Sequence, residues 1–301
     1  ITDQVTVDGS LYELPFRSDY WLIYYNKDVF DAAGIAYPSN DMTMEDYDAL
    51  ARQLTDTTYG SQVYGCHYHT WRSAVELFGI LDGKHSILDG NYDWMIPYYD
   101  MILSEEDDGV CQTYTDLSTE GLHYSAAFSN GNVAMMNMGS WFISTLISNL
   151  DSGEYDSSLC GNWGIASYPH PDGAEAGSTI ATITGLAVTS ASANKDAAFD
   201  FVNWVSGTEG AKVMASTGNF PAIMTDDVIN TIAGMAGFPT DESSKEALNI
   251  TNAYLEVPYA ENVSEINSIL DTYHTSIMNR EVTVEEGVAS MNEQVGKILN
   301  Q

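Results

Sequence analysis

Three short stretches of the 301-residue chain bring aromatic rings and hydrogen-bonding groups together: Phe16-Arg17-Ser18-Asp19, Tyr68-His69-Thr70-Trp71-Arg72 and Gly139-Ser140-Trp141. A tryptophan face offers a large apolar area at small entropic cost, which suits the apolar face of a sugar ring. Neighbouring polar groups can then satisfy the ring's hydroxyls. Core packing competes for the same aromatic residues, Trp71 and Tyr68 above all. Catalytic chemistry is not singled out. Carboxylates occur all along the chain, so a hydrolytic carboxylate pair would not stand out, and no G-x-S-x-G nucleophile motif is present. Metal chemistry has little support: His67 and His69 stand two apart with no further ligand at suitable spacing. The acidic, glycine-containing run Asp82 to Asp93 lacks the ligand order of a calcium loop, and Glu105-Glu106-Asp107-Asp108-Gly109 reads as a surface turn.

The elements that must position these stretches are legible in part. Pro15 biases Leu14 to an extended conformation, so Phe16 to Asp19 form an extended connector leading into a strand over Leu22 to Tyr25. A short helix follows, capped by Asn26 and ended by Gly34. Thr43 with Asp46 starts a second amphipathic helix, and Thr283 with Glu286 starts the last one. Val63 to Cys66 is a strand running into the Tyr68–Arg72 stretch, with a helix over Ser73 to Leu81. Val133 to Met138 is a buried strand that Gly139-Ser140 breaks before Trp141 opens a helix. In open α/β sheets, ligands bind beyond the carboxyl ends of strands, where Trp141 stands. Trp163 to Ser167 and Leu186 to Thr189 read as further strands. Helices over Asp196 to Val205, with Ala198, Phe201, Val202 and Val205 on one face, and over Glu209 to Ser216 follow.

Composition bounds the partners. With 43 Asp and Glu against 10 Lys and Arg, the formal net charge is −33, which repels phosphate backbones and anionic lipid heads. The apolar fraction of 44% can fill a substantial core, and no stretch approaches the length of a membrane span. No targeting segment or anchor is visible from Ile1 onward. Cys66, Cys111 and Cys160 match no zinc or redox motif; one disulfide with one buried thiol would suit an exported protein, three buried thiols would suit any compartment, and the pair that would join is not readable.

Leu14-Pro15-Phe16 followed by Tyr24-Tyr25-Asn26-Lys27-Asp28-Val29-Phe30 and Ala33-Gly34 resembles the most recognisable segment of the family 1 extracellular solute-binding proteins, the maltose-binding-protein-like receptors of ABC importers. Thr43 to Leu54, Phe128 to Trp141, Thr184-Gly185-Leu186-Ala187-Val188 onward to Asn219-Phe220-Pro221-Ala222, and Thr283-Val284-Glu285-Glu286-Gly287 extend the resemblance over essentially the whole chain. It implies an α/β, two-lobed periplasmic-binding-protein-like (type II) fold. Residues 17–180 and 222–301 would form the second lobe. Residues 1–16 and 181–221 would belong to a first lobe whose N-terminal part is missing, because family members carry a long segment before the Leu-Pro-Phe motif.

The function implied is non-enzymatic capture of a carbohydrate in the interlobe cleft, by lobe closure, and delivery to ABC permease subunits. The receptor would be a monomer without metal, cofactor or nucleic acid, at the cell surface on a lipid anchor or in the periplasm. Trp141 and Trp71 would be stacking platforms, Tyr68 an aromatic wall and hydroxyl donor, and Arg17 and Asp19 hydrogen-bonding groups, with Phe16 and Arg72 beside them. Gly139, Ser140 and Gly185 would allow close backbone approach. A glycan hydrolase or lyase and a ligand-sensing ectodomain are the competing readings.

Overall fold

The computed structural model describes residues 2–56 and 62–300; the expected lobe ends at Ile1 and Gln301 lie outside this range. Its organising element is β1, Leu14–Asn26, longer than the strand expected over Leu22 to Tyr25. The connector in front of that strand is itself part of the ladder. Leu14 to Tyr20 pair antiparallel with β5 (Thr179–Leu186), with Asp19 opposite Thr182, and Trp21 to Asn26 pair with β3 (Val133–Gly139) and β4 (Trp163–Ser167). β2 (Tyr64–His67) lies parallel to β3 and β6 (Ala253–Leu255) parallel to β5. The order is β2-β3-β1-β5-β6, with β4 on the other side of β1. The register shifts between Pro15 and Arg17, where proline has no N–H to give to the ladder.

The part of β1 flanked by β3 and β4 is completely buried, as expected for a continuous aromatic and aliphatic run covered on both faces. Tyr24 packs on Phe142 at 5.1 Å and Tyr25 on Phe30 at 5.6 Å between ring centroids. At the end of β1 the backbone turns helical. Asn26 accepts from the Asp28 N–H, and Gly34 closes the helix Lys27–Ala33 at φ 69°, a left-handed value that suits glycine. Reciprocal capping boxes start the helices Met44–Leu54 at Thr43/Asp46 and Val284–Leu299 at Thr283/Glu286.

Three local expectations are corrected. The strand expected over Leu186 to Thr189 lies earlier in the chain: β5 ends at Leu186 and residues 187–189 are not a strand, because the ladder partner of β5 is the first half of β1. Glu105 and Glu106 do not form a surface turn. They end the helix Ile96–Asp107 and are buried, while Arg280 pairs with Glu106 and Asp107 at 3.4 and 2.8 Å, and Arg52 with Asp108 at 2.5 Å. The helix Lys195–Val205 buries only Val202, and Phe199, Phe201 and Trp204 are exposed, so among the described residues nothing covers its outer face.

Candidate functional site

Arg17, Asp19 and Trp21 alternate along β1 and so project to one face. The Arg17 guanidinium grips the Asp19 carboxylate, with Nε 2.6 Å from Oδ2 and Nη2 donating to Oδ1 at 3.1 Å. Asp19 is 4% exposed, and burial raises its pKa against the opposing pull of Arg17 and of the Ser140 hydroxyl. Ser140 Oγ donates to Asp19 at 2.9 Å, and the Ser140 N–H donates to the Tyr20 carbonyl at 2.8 Å. The break after β3 is thereby fixed to the middle of β1, which sets where Trp141 begins its helix.

Trp141 and Trp71 come together although they are distant in sequence: their ring centroids lie 6.3 Å apart at 57°. Trp21 stands edge-on to both, at 5.5 Å from Trp141 and 6.5 Å from Trp71. This buried ring props the two others, and its Nε1 has no hydrogen-bond partner among the described residues. Tyr124 completes the group, accepting from Trp141 Nε1 at 3.1 Å and packing on Trp71 at 5.6 Å. His69 meets Trp71 at 4.6 Å; burial, and then His123, lower its pKa to about 4, so it is neutral at pH 7. The cluster is therefore an uncharged aromatic surface, with Trp71 39% exposed.

Beside Trp71 opens a cavity of about 340 Å³ lined by Thr70, Arg72, Ser73, Glu256 and Asn267 among others. Glu256 accepts from the hydroxyls of Ser73 and of Thr182, the latter at 2.7 Å, and Thr182 is the ladder partner of Asp19. A polar line thus runs from Arg17 through Asp19 and Thr182 to Glu256. A wider hollow of about 530 Å³ shares Val257 and continues along Ile183, Pro258 and Tyr259. The Tyr259 hydroxyl donates to Glu13.

The structure gives several sequence-derived candidates other surroundings. Tyr68 points into the core, between Tyr47 and Phe78 at 6.4 and 6.3 Å, and borders an internal void of about 10 Å³ rather than the open cavity. Arg72 lines the cavity beside Trp71, but its guanidinium is engaged within the chain: it contacts Glu76 at 2.9 Å and Asp271 at 3.1 Å and donates to Asn267 at 2.6 Å, joining the helices Ser73–Ile80 and Val263–Met278 under Trp71. The close approaches that Gly139 and Gly185 permit are made by this chain's own side chains. A Cβ on Gly139 would lie 2.0 Å from the Trp141 ring, and one on Gly185 would lie 2.2 Å from the Glu13 carboxyl carbon. Phe16 sits at the register shift, partly buried, and its carbonyl accepts from the Ala222 N–H at 3.0 Å. Trp21, Tyr124, Thr182 and Glu256 were missed. For Trp21 the signal was available, since it is the next residue on the Arg17–Asp19 face.

Residues 1–212 match the model of the bacterial extracellular solute-binding protein family. A sugar transporter from Rhizobium etli, solved in an open conformation, is 48% identical with a TM-score of 0.91, over 98% of this chain and 74% of that one. An ABC substrate-binding protein of Listeria monocytogenes in complex with cycloalternan is 22% identical with a TM-score of 0.81, over 99% of this chain and 74% of that one, a likeness of fold. The mannitol-binding protein of Pseudomonas aeruginosa is 24% identical over 223 residues, 71% of this chain, so the chain spans about half (49%) of that curated relative.

Proposed function

Because the chain belongs to the bacterial extracellular solute-binding proteins, with the two-lobed type II fold of its structural neighbours, we propose that it is the substrate-binding component of an ABC importer and captures a carbohydrate or related polyol. The observation that carries this reading is the pair Trp71 and Trp141, inclined at 57° and braced by Trp21, beside the Arg17–Asp19–Ser140 group. Stacking of a sugar ring on either indole buries apolar area, while hydroxyls are served by Arg17, Glu256 and Thr182. The lobes are residues 17–180 with 222–301, and 1–16 with 181–221, joined where β1 and β5 run side by side. Closure over the ligand follows from its additional contacts in the closed state. The bound solute is released unchanged to membrane permease subunits. No helix among the described residues is long and apolar enough to cross a membrane.

Tryptophan fluorescence titration against mono- and oligosaccharides and hexitols tests the proposal, with chromatography of the ligand after prolonged incubation. Saturable binding with intact ligand is expected. Turnover of an oligosaccharide, or no binding across the panel, would contradict it.

A further inference from the structure

Cys66 and Cys111 are 45 positions apart in the numbering and adjacent in space. The Cys66 N–H donates to the Val110 carbonyl at 3.4 Å, which lays the segment after the helix Ile96–Asp107 alongside β2. Both residues are buried, and their sulfur atoms lie within 4.8 Å of each other and of a Glu105 carboxylate oxygen. Cys160 is buried elsewhere, its thiol directed at the Asp156 carbonyl at 3.7 Å. We propose that Cys66 and Cys111 are joined by a disulfide in the exported protein, stapling β2 to the end of the helix Ile96–Asp107, and that Cys160 stays a thiol. The compartment rests on the solute-binding reading above, since disulfides persist outside the cytosol.

Burial pushes the Cys66 thiol well above its ordinary range, and the Cys111 thiol is also raised. The folded pair is therefore a poor source of thiolate, and the bond forms during folding, before the segment closes. A Cys66 thiolate attacks the disulfide of an exported dithiol–disulfide oxidoreductase, releasing one of its thiolates. The Cys111 thiolate then displaces the other. Two protons and two electrons leave the cysteine pair, and the oxidoreductase disulfide becomes a dithiol. A metal ion fits less well. Two sulfurs and one carboxylate leave a tetrahedral ion one ligand short, and Cys66 and Glu105 are both at 0% exposure. The staple lies five residues before Trp71, so it would also hold the base of the segment that presents that ring.

The test uses the full chain produced by export, unfolded in guanidinium with iodoacetamide and weighed intact. One alkylated cysteine without reductant and three with it are expected, together with a peptide linking Cys66 to Cys111. Reduction should lower the melting temperature by about 5–10 °C, and the double variant Cys66→Ser/Cys111→Ser should show no such sensitivity. Three alkylatable thiols without reductant, a bridge involving Cys160, or stoichiometric zinc would overturn the proposal. Saccharide binding is measured on the same sample. A protein that binds sugar with three free thiols refutes only the disulfide, and a bridged protein that binds no sugar refutes only the proposed function.

Discussion

Replacing Arg17 by Met should destabilise the protein in a way that grows with pH. Arg17 acts on Asp19 only while the carboxylate is charged, holding its pKa down against burial. Without the guanidinium, Ser140 alone opposes desolvation, and the folded-state pKa of Asp19 rises further. A carboxyl whose folded pKa is raised contributes no penalty while it is protonated in both states. The penalty appears as pH climbs from the unfolded pKa through the folded one, at about 1.4 kcal/mol for each pH unit that separates the two. Breaking a fully buried pair costs about 3–5 kcal/mol. The Arg17 side chain is 29% exposed, so a smaller loss of about 2–3 kcal/mol at pH 8 is expected, falling to about 1 kcal/mol at pH 5. Urea unfolding at both pH values, above the isoelectric point of about 4.1, measures it, with unchanged m-values as the two-state check. Equal losses at the two pH values, or a loss below about 0.5 kcal/mol at pH 8, would refute the reasoning.

Glu105 is pushed up to about 8 by burial, from an ordinary 4.5, so its contribution to stability is lost as pH rises from about 4.5 to about 8. Glu105→Gln should therefore flatten the pH dependence of unfolding free energy between pH 5 and 8.5, by a few kcal/mol over that span; parallel pH profiles would exclude this. Gly65→Ala places a methyl 1.7 Å from the Ala51 carbonyl oxygen, where only backbone can yield, and should cost about 3 kcal/mol or more in denaturant unfolding. Gly139→Ala drives the Trp141 ring from its seat. A shifted tryptophan emission and roughly tenfold weaker saccharide binding are expected, as for about 1.4 kcal/mol, with an overpacking loss of about 1–3 kcal/mol in stability.

Local signals in the sequence were reliable where one short-range interaction decides the outcome. The Asn26 cap, the Gly34 stop and both capping boxes are set by neighbours two to three residues away, and the structure has each of them. Long-range placement was harder to read. Tyr68 looked like a cleft residue because it precedes Trp71, but its ring points between Tyr47 and Phe78, on elements the sequence does not connect to it. Glu105 and Glu106 looked solvated because four acidic residues stand together; the arginines that meet this end of the helix come from positions 52 and 280. Gly139 and Gly185 were read as room for close approach at the ligand site, and sequence could not say that Trp141 and Glu13 of this chain fill the space. The Trp71–Trp141 pair depends on β2, β3 and β1 lying side by side, a fact of sheet order.

The central claim is that a saccharide stacks on the Trp71–Trp141 pair. Isothermal titration of the best-bound saccharide into the wild type and into Trp71→Ala and Trp141→Ala tests it most directly. Each replacement should cost about 1–3 kcal/mol, roughly 5- to 150-fold in Kd, without loss of folding. Unchanged affinity in both variants would contradict it.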